Sequence, residues 1–224
     1  MTDSWGALFE RAGEYGVDCE EVSRTLADRR ERDRSGREAD ETDPNGSMAG
    51  DTPSADVGSD EGAGGPPSAG DVPNPARVVA DADVLAADLL VDGPARAALD
   101  HVREHSWVAL VGSDPLLDDA AGVIGTLADA ALARAWHERL DPALRVAPPP
   151  GDHPALAAAF HGSAAHVLAF DEALRGARAG ATIRARVATS VKHPAGFARL
   201  FDPAALHETV VGGAYSGPDC DPRS

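Results

Sequence analysis

Apolar positions along this chain recur with two periods, and the switches between the periods predict its elements. Trp5, Leu8, Phe9 and Ala12 recur at helical spacing behind Ser4, whose hydroxyl can cap the helix. Gly16 ends that helix. Asp18 and Glu21 then form a capping-box-like D-x-x-E ahead of Val22 and Leu26, so a second short helix comes next and the two make a hairpin over residues 1–35. From Arg77 the pattern alternates. ARVVADADV reads as a strand that stops at its acids, and VLAADLLV as a helix punctuated by Gly93-Pro94. PARAALDHVREH is a helix with Ala95, Leu99 and Val102 on one face. SWVALVGS is a β run, with Ser113 placed to cap the next helix, and DPLLDDAAGVIGTLADAALARAWHERL is one long helix or two abutting ones. Beyond the PPPGDHP loop come the helix ALAAAFHG, the strand AAHVLAF closed by Asp171-Glu172, and a helix EALRGARAG capped by Gly180. RVATSV as last strand, PAGFARLF as last helix and an extended tail from Gly212 complete the order. Strands alternating with helices predict an α/β fold, a parallel sheet covered by helices on both faces in three layers.

About 30 residues are too few for a core of their own, so the hairpin is expected to dock on the main domain, on a second subunit of a homodimer or on an unknown protein partner. Residues 36–76 contain nine acids and no base from Glu38 to Ala76, with Gly, Ser and Pro between them. Such a stretch cannot bury enough apolar surface to offset chain entropy, and a disordered acidic linker is expected, or a decoy for some basic surface. Residues 77–224 form the folded domain.

Composition changes the picture in two ways. Hydrophobic residues make up 43% of the 224-residue chain and aromatics only 4%, so the core must be built from Ala, Val and Leu. The formal net charge is -17, and Lys192 is the one lysine. Acid excess with almost no lysine points to a cytosol full of salt, the habit of halophilic archaea; a GC-rich genome gives the same Arg-for-Lys bias. Global acidity therefore argues only weakly against a nucleic-acid partner. Cys19 and Cys220 sit near opposite ends and form no metal-type pair, which fits a reducing, cytoplasmic setting. No apolar run approaches the roughly 18 residues of a membrane span, and the first residues lack the pattern of a signal peptide.

Acids gather where strands should end. Asp81 and Asp83 close the first strand, Asp118 and Asp119 lie early in the helix after the second, and Asp171 closes HVLAF. Ligands bind beyond the carboxyl ends of parallel strands. Carboxylates converging there repel one another unless a cation joins them, and hard ions such as Mg²⁺ or Mn²⁺ suit oxygen ligands. Each acid also precedes a helix and can simply cap it.

In order and spacing, VVADADVLAADLL, GSDPLLDDAAGVI, HVLAFDEAL and VKHPAGFARLF resemble the successive elements of a PIN-like nuclease domain, specifically an uncharacterised PIN-like family of halophilic archaea. The resemblance spans nearly all of Val78 to Asp202. It implies a PIN-like fold and metal-dependent cleavage of RNA, with Asp81, Asp171 and either Asp119 or Asp118 as acids of the site. Asp119 is favoured because Ala120 comes after it, and Asp83 supports the metal. The family's fourth acid has no clear counterpart; Ser190 is the nearest polar residue. That gap favours a second reading, a catalytically silent PIN-like binding or scaffold module. Arg175, Arg178, Arg184, Arg186 and Lys192 lie close behind Asp171 and can hold RNA phosphates, or be ordinary solvated cations.

Other motifs weigh less. HVREH (His101 to His105) fits H-x-x-E-H, but its helix ends at once, where His105 suits the helix dipole. His153 and His161 are expected at the surface or in packing. The run Arg29, Arg30, Arg32, Arg34, Arg37 reads as a solvated helix end. No phosphate-binding G-x-x-x-x-G-K-[ST] loop and no G-x-S-x-G elbow occurs.

Overall fold

The computed structural model describes residues 3–41, 72–140, 142–149, 152–176 and 189–224. Most of the linker expectation, residues 42–71, and the stretch 177–188 with Arg178, Gly180, Arg184 and Arg186 lie outside them.

The described elements run α1 (Trp5–Gly13), α2 (Cys19–Glu41), β1 (Asn74–Ala80), α3 (Ala82–Leu90), α4 (Pro94–Arg103), β2 (Ala109–Ser113), α5 (Asp114–Leu127) and α6 (Ala130–Arg139). They continue with β3 (Leu144–Val146), α7 (Pro154–His161), β4 (Ala164–Leu168), α8 (Glu172–Arg175), β5 (Ser190–Lys192), α9 (Pro194–Leu200) and α10 (Pro203–Val210). The strands form one parallel sheet in the order β3-β2-β1-β4-β5. The chain thus builds outward from β1 in one direction, then crosses back to place β4 on its other side. The order reverses between β1 and β4, the crevice where α/β sheets bind ligands. There Ala80 pairs with Leu168, and the Asp81 amide donates to the Leu168 carbonyl at 2.8 Å.

Several boundaries differ from expectation. The α2 helix runs on to Glu41, so residues 36–41, placed in the linker, are helical, and β1 begins at Asn74. Of the two forms expected for the long helical stretch, the two abutting helices are the one that occurs. Asp129 breaks it, its carboxylate accepting from the Leu132 amide at 2.7 Å as the cap of α6. Ser113 occupies the cap position of α5 but makes no capping bond. The edge strand β3, with three residues, is too short to show a period, and α10 buries none of its residues.

The hairpin docks on its own domain. Gly16, at φ +63, makes the turn after α1 in a region that favours glycine. Trp5, Leu8, Phe9, Ala12, Val22 and Leu26 then join one continuous core with Leu89, Leu116, Val123 and Trp136. Arginines close over the two aromatic rings: Arg96 stands 3.8 Å from the centre of Phe9, and Arg103 4.6 Å from that of Trp5. Of the docking surfaces expected for the hairpin, the contacts seen are with this chain's own α/β domain. Both cysteines are free. Among the described residues no helix is long and apolar enough to cross a membrane.

Candidate functional site

The carboxyl end of β1 delivers Asp81 and Asp83 into the interior, where they are 0% and 2% exposed. The local reason is geometric. Asp81 caps α3, accepting from the Ala82 amide at 2.8 Å, and the helix that starts there turns Asp83 toward the neighbouring strand. Asp83 Oδ2 accepts from the Phe170 amide at 3.2 Å, just past the end of β4. Its Oδ1 is buried without a hydrogen-bond partner. Burial, then the charge of Asp81, pushes the Asp83 carboxyl up to about 7, against the opposing pull of the Val84 and Phe170 amides and of Arg30.

Of the two acids early in α5, Asp119 is buried (8% exposed) and turns inward, whereas Asp118 is exposed. Asp171 is exposed and caps α8, accepting from the Ala173 amide at 2.7 Å. Its charge acts on His153, as do those of Asp81 and Asp119.

The centre of the crevice is filled by a residue that the sequence placed in a solvated helix end. Arg30, from α2, donates to Asp81 Oδ1 at 2.8 Å and Oδ2 at 3.3 Å, and its Nε donates to Asp119 at 3.0 Å. Burial works against the Arg30 charge. Its bonds to Asp81 and Asp119 outweigh that and hold it protonated above its ordinary range. Arg29 lies alongside, 3.4 Å from Asp119, in space left by Gly122 on α5; a Cβ at that glycine would overlap the Arg29 guanidinium. The surface prediction fails for Arg29 and Arg30 because two buried carboxylates one helix away need a counter-charge. It holds for Arg32 and Arg34, which are exposed, Arg32 bonding the Asp28 carbonyl and Arg34 pairing with Glu31.

His153, expected at the surface or in packing, is the other missed member. Its ring stands 3.8 Å from Asp81 and its Nε2 lies 2.9 Å from Arg30 Nη1. Burial, joined by Arg30, lowers its pKa against the upward pull of Asp81, and its Nδ1 is buried without a partner. The signal available was its place at the N-terminal end of α7, at the close of PPPGDHP.

Ser190, the candidate for the fourth acid, is committed elsewhere: its hydroxyl donates to the Ala165 carbonyl at 3.2 Å and lies 2.9 Å from His166 Nδ1. Arg175 donates to the Phe170 carbonyl at 3.1 Å, and Lys192 is half-buried near the Phe197 ring. The HVREH pair is structural. His105 places Nδ1 2.7 Å from the His101 carbonyl and Nε2 2.6 Å from the Tyr215 hydroxyl, leaving no free ring nitrogen for a metal. With Arg30 seated among Asp81, Asp119 and His153, no group of three or more His, Cys, Asp or Glu among the described residues stands ready to hold a metal ion.

Compared with known proteins, residues 72–223 match the model of a family of unknown function. No curated protein and no solved structure matches the chain.

Proposed function

This chain belongs to DUF7384, a family of unknown function, so its own side chains must carry the argument, and we propose that it is a PIN-like, metal-dependent ribonuclease that cleaves RNA phosphodiester bonds. The observation that carries this reading is Asp83. One of its oxygens is buried without a partner, beside the buried Asp81, at the point where the strand order reverses. A carboxylate sunk next to another is costly unless a positive charge completes the group. The donors suit a hard divalent ion, Mg²⁺ or Mn²⁺: Asp81 and Asp119 as holders, Asp83 beside them and Asp171 as a further acid. Such an ion supplies the charge that polarises a phosphodiester and eases ionisation of a water. The chain's own residues do the rest. Asp81 and Asp119 fix the ion's position from two separate elements. Arg175 and Lys192, with Arg178, Arg184 and Arg186 from the sequence between them, supply positive charge for the RNA backbone. Helices on both sheet faces, in the three layers of a PIN-like domain, and a cytoplasmic RNA substrate belong to the same reading.

The test is cleavage of single-stranded RNA in high KCl, with Mn²⁺ or Mg²⁺, by wild type, Asp81→Asn and Asp171→Asn. Wild type is expected to cleave and both variants to lose most of the activity. Indistinguishable traces from all three refute the proposal.

A second reading, a catalytically silent PIN-like binding module, is favoured by one observation: Arg30 already neutralises Asp81 and Asp119. A buried carboxylate pair satisfied by an arginine needs no other cation. Under this reading wild type cleaves nothing and gains no thermal stability from Mn²⁺.

A further inference from the structure

Arg30 spends all three of its guanidinium nitrogens in the crevice. Nη2 and Nη1 bond Asp81, Nε bonds Asp119, and Nη1 also meets Nε2 of His153 at 2.9 Å. An arginine only donates, so His153 Nε2 must offer its lone pair to this contact. That same lone pair is what an imidazole gives to a metal. Two carboxylates and one imidazole nitrogen therefore surround a single positive centre, with the unpartnered Oδ1 of the buried Asp83 nearby.

We propose that Arg30 is an internal guard: it takes the place of a divalent cation in a site formed by Asp81, Asp119 and His153, and the cation enters only as Arg30 withdraws. The inference rests on the cation site of the proposed function. It adds a nitrogen ligand to that site and a control over it. A set with one imidazole favours Mn²⁺ over Mg²⁺, which keeps to oxygen.

The helix that carries the guard is built to let go. Val22 and Leu26 anchor the first half of α2 in the core. From Ala27 to Gly36 no residue is buried. The described ion pairs and hydrogen bonds of residues 27–36 to the domain run through Arg29 and Arg30 to Asp119, Asp81 and His153. Arg30 keeps water on one side, with 21% of its side chain exposed. Lifting residues 27–36 thus exchanges ion pairs for a cation and for water without opening the apolar core. The guard also arrives from outside residues 72–223, the part that matches the family.

The experiment is calorimetric titration of the full chain in high KCl with Mn²⁺ and with Mg²⁺, using wild type, Arg30→Met, Arg30→Met/His153→Ala and Arg30→Met/Asp81→Asn. Arg30→Met is expected to bind Mn²⁺ about tenfold tighter or more than wild type, because a competing charge is gone. His153→Ala should remove most of that gain and the preference for Mn²⁺, and Asp81→Asn should abolish binding. Equal Mn²⁺ affinity in wild type and Arg30→Met overturns the guard, while RNA cleavage by wild type would leave the nuclease reading standing. Tighter binding without cleavage does the reverse. Absence of both binding and cleavage overturns both. Should Arg30→Met not fold, hydrogen exchange on wild type decides: Mn²⁺ is expected to speed exchange over residues 27–36, and unchanged exchange at saturating Mn²⁺ rules the guard out.

Discussion

Single buried ionisable residues set how this chain answers to pH and mutation. His166 sits on β4 with Nδ1 against the Ser190 hydroxyl, the Phe197 ring edge-on at 5.9 Å and Lys192 close by on β5. Burial and the Lys192 charge lower its pKa from 6.5 to about 4, against the upward pull of a hydrogen bond with the Ala165 backbone. The unfolded chain therefore takes up the proton first as pH falls. The stability from keeping this ring neutral is fully present above about 6.5 and is lost as pH falls through that value toward 4. Allowing for partial exposure, the loss is roughly 1–2 kcal/mol. Urea melts at pH 7 and pH 4.5 should show wild type losing more stability than His166→Gln by about that amount; parallel losses would contradict the assignment. Asp88 presents a different case. It is 1% exposed, is paired with Arg103 and has one oxygen without a partner. Burial raises its pKa against the pull of Arg103. Breaking the pair from the arginine side strands a buried carboxylate, so Arg103→Ala should cost about 3–5 kcal/mol, read as a large drop in melting temperature. Arg145→Ala, which frees only the exposed Asp114, should leave it unmoved.

At the scale of elements, the hairpin is structural as well as regulatory. Leu8 is fully buried in the core it shares with α3 and α6, so Leu8→Ala should cost about 2–5 kcal/mol and lower a single cooperative transition. Two separate transitions would mean that the hairpin melts apart from the sheet. What the sequence revealed divides along a physical line. Periodic burial was legible: β1, β4, α1, α3, α4 and α7 are readable from apolar spacing, and the cap residues Ser4, Asp81 and Asp171 mark starts of helices that do form there. The parallel sense of the sheet was also readable from alternating elements, though not the order of its strands. The edge strand β3 gave no period because it has three residues, and α10 none because nothing on it is buried. The crevice was half legible. Asp81, Asp83 and Asp119 announce themselves as carboxylates at strand and helix ends. Arg30 and His153 do not, since their role depends on which helix crosses which strand end, a distance of 51 and 72 residues from Asp81 along the chain. In a run of five arginines, nothing local separates the inward-facing Arg29 and Arg30 from the exposed Arg32 and Arg34.

For the whole molecule, charge is unevenly shared, and that decides its response to salt. Of the net charge of -17, residues 77–224 carry 19 acids against 13 bases, or -6, and the remaining -11 falls on the first 76 residues. Residues 42–71 alone contribute six acids and no base, between the end of α2 and the start of β1. Like charges near one another in sequence repel across a Debye length of about 30 Å at 0.01 M salt but only about 3 Å at 1 M. The pair of the half-buried Arg30 with the fully buried Asp81 is screened less than such exposed charges. Rising KCl should therefore stabilise the fold by quieting the acidic segment without loosening the guard. Replacing the six acids of residues 42–71 by Asn and Gln keeps the number of residues and removes their charge. Melting temperatures from 0.01 to 1 M KCl are expected to climb steeply for wild type and more gently for the neutralised chain. The same steep climb in both would place the salt response in the acids of the folded domain instead.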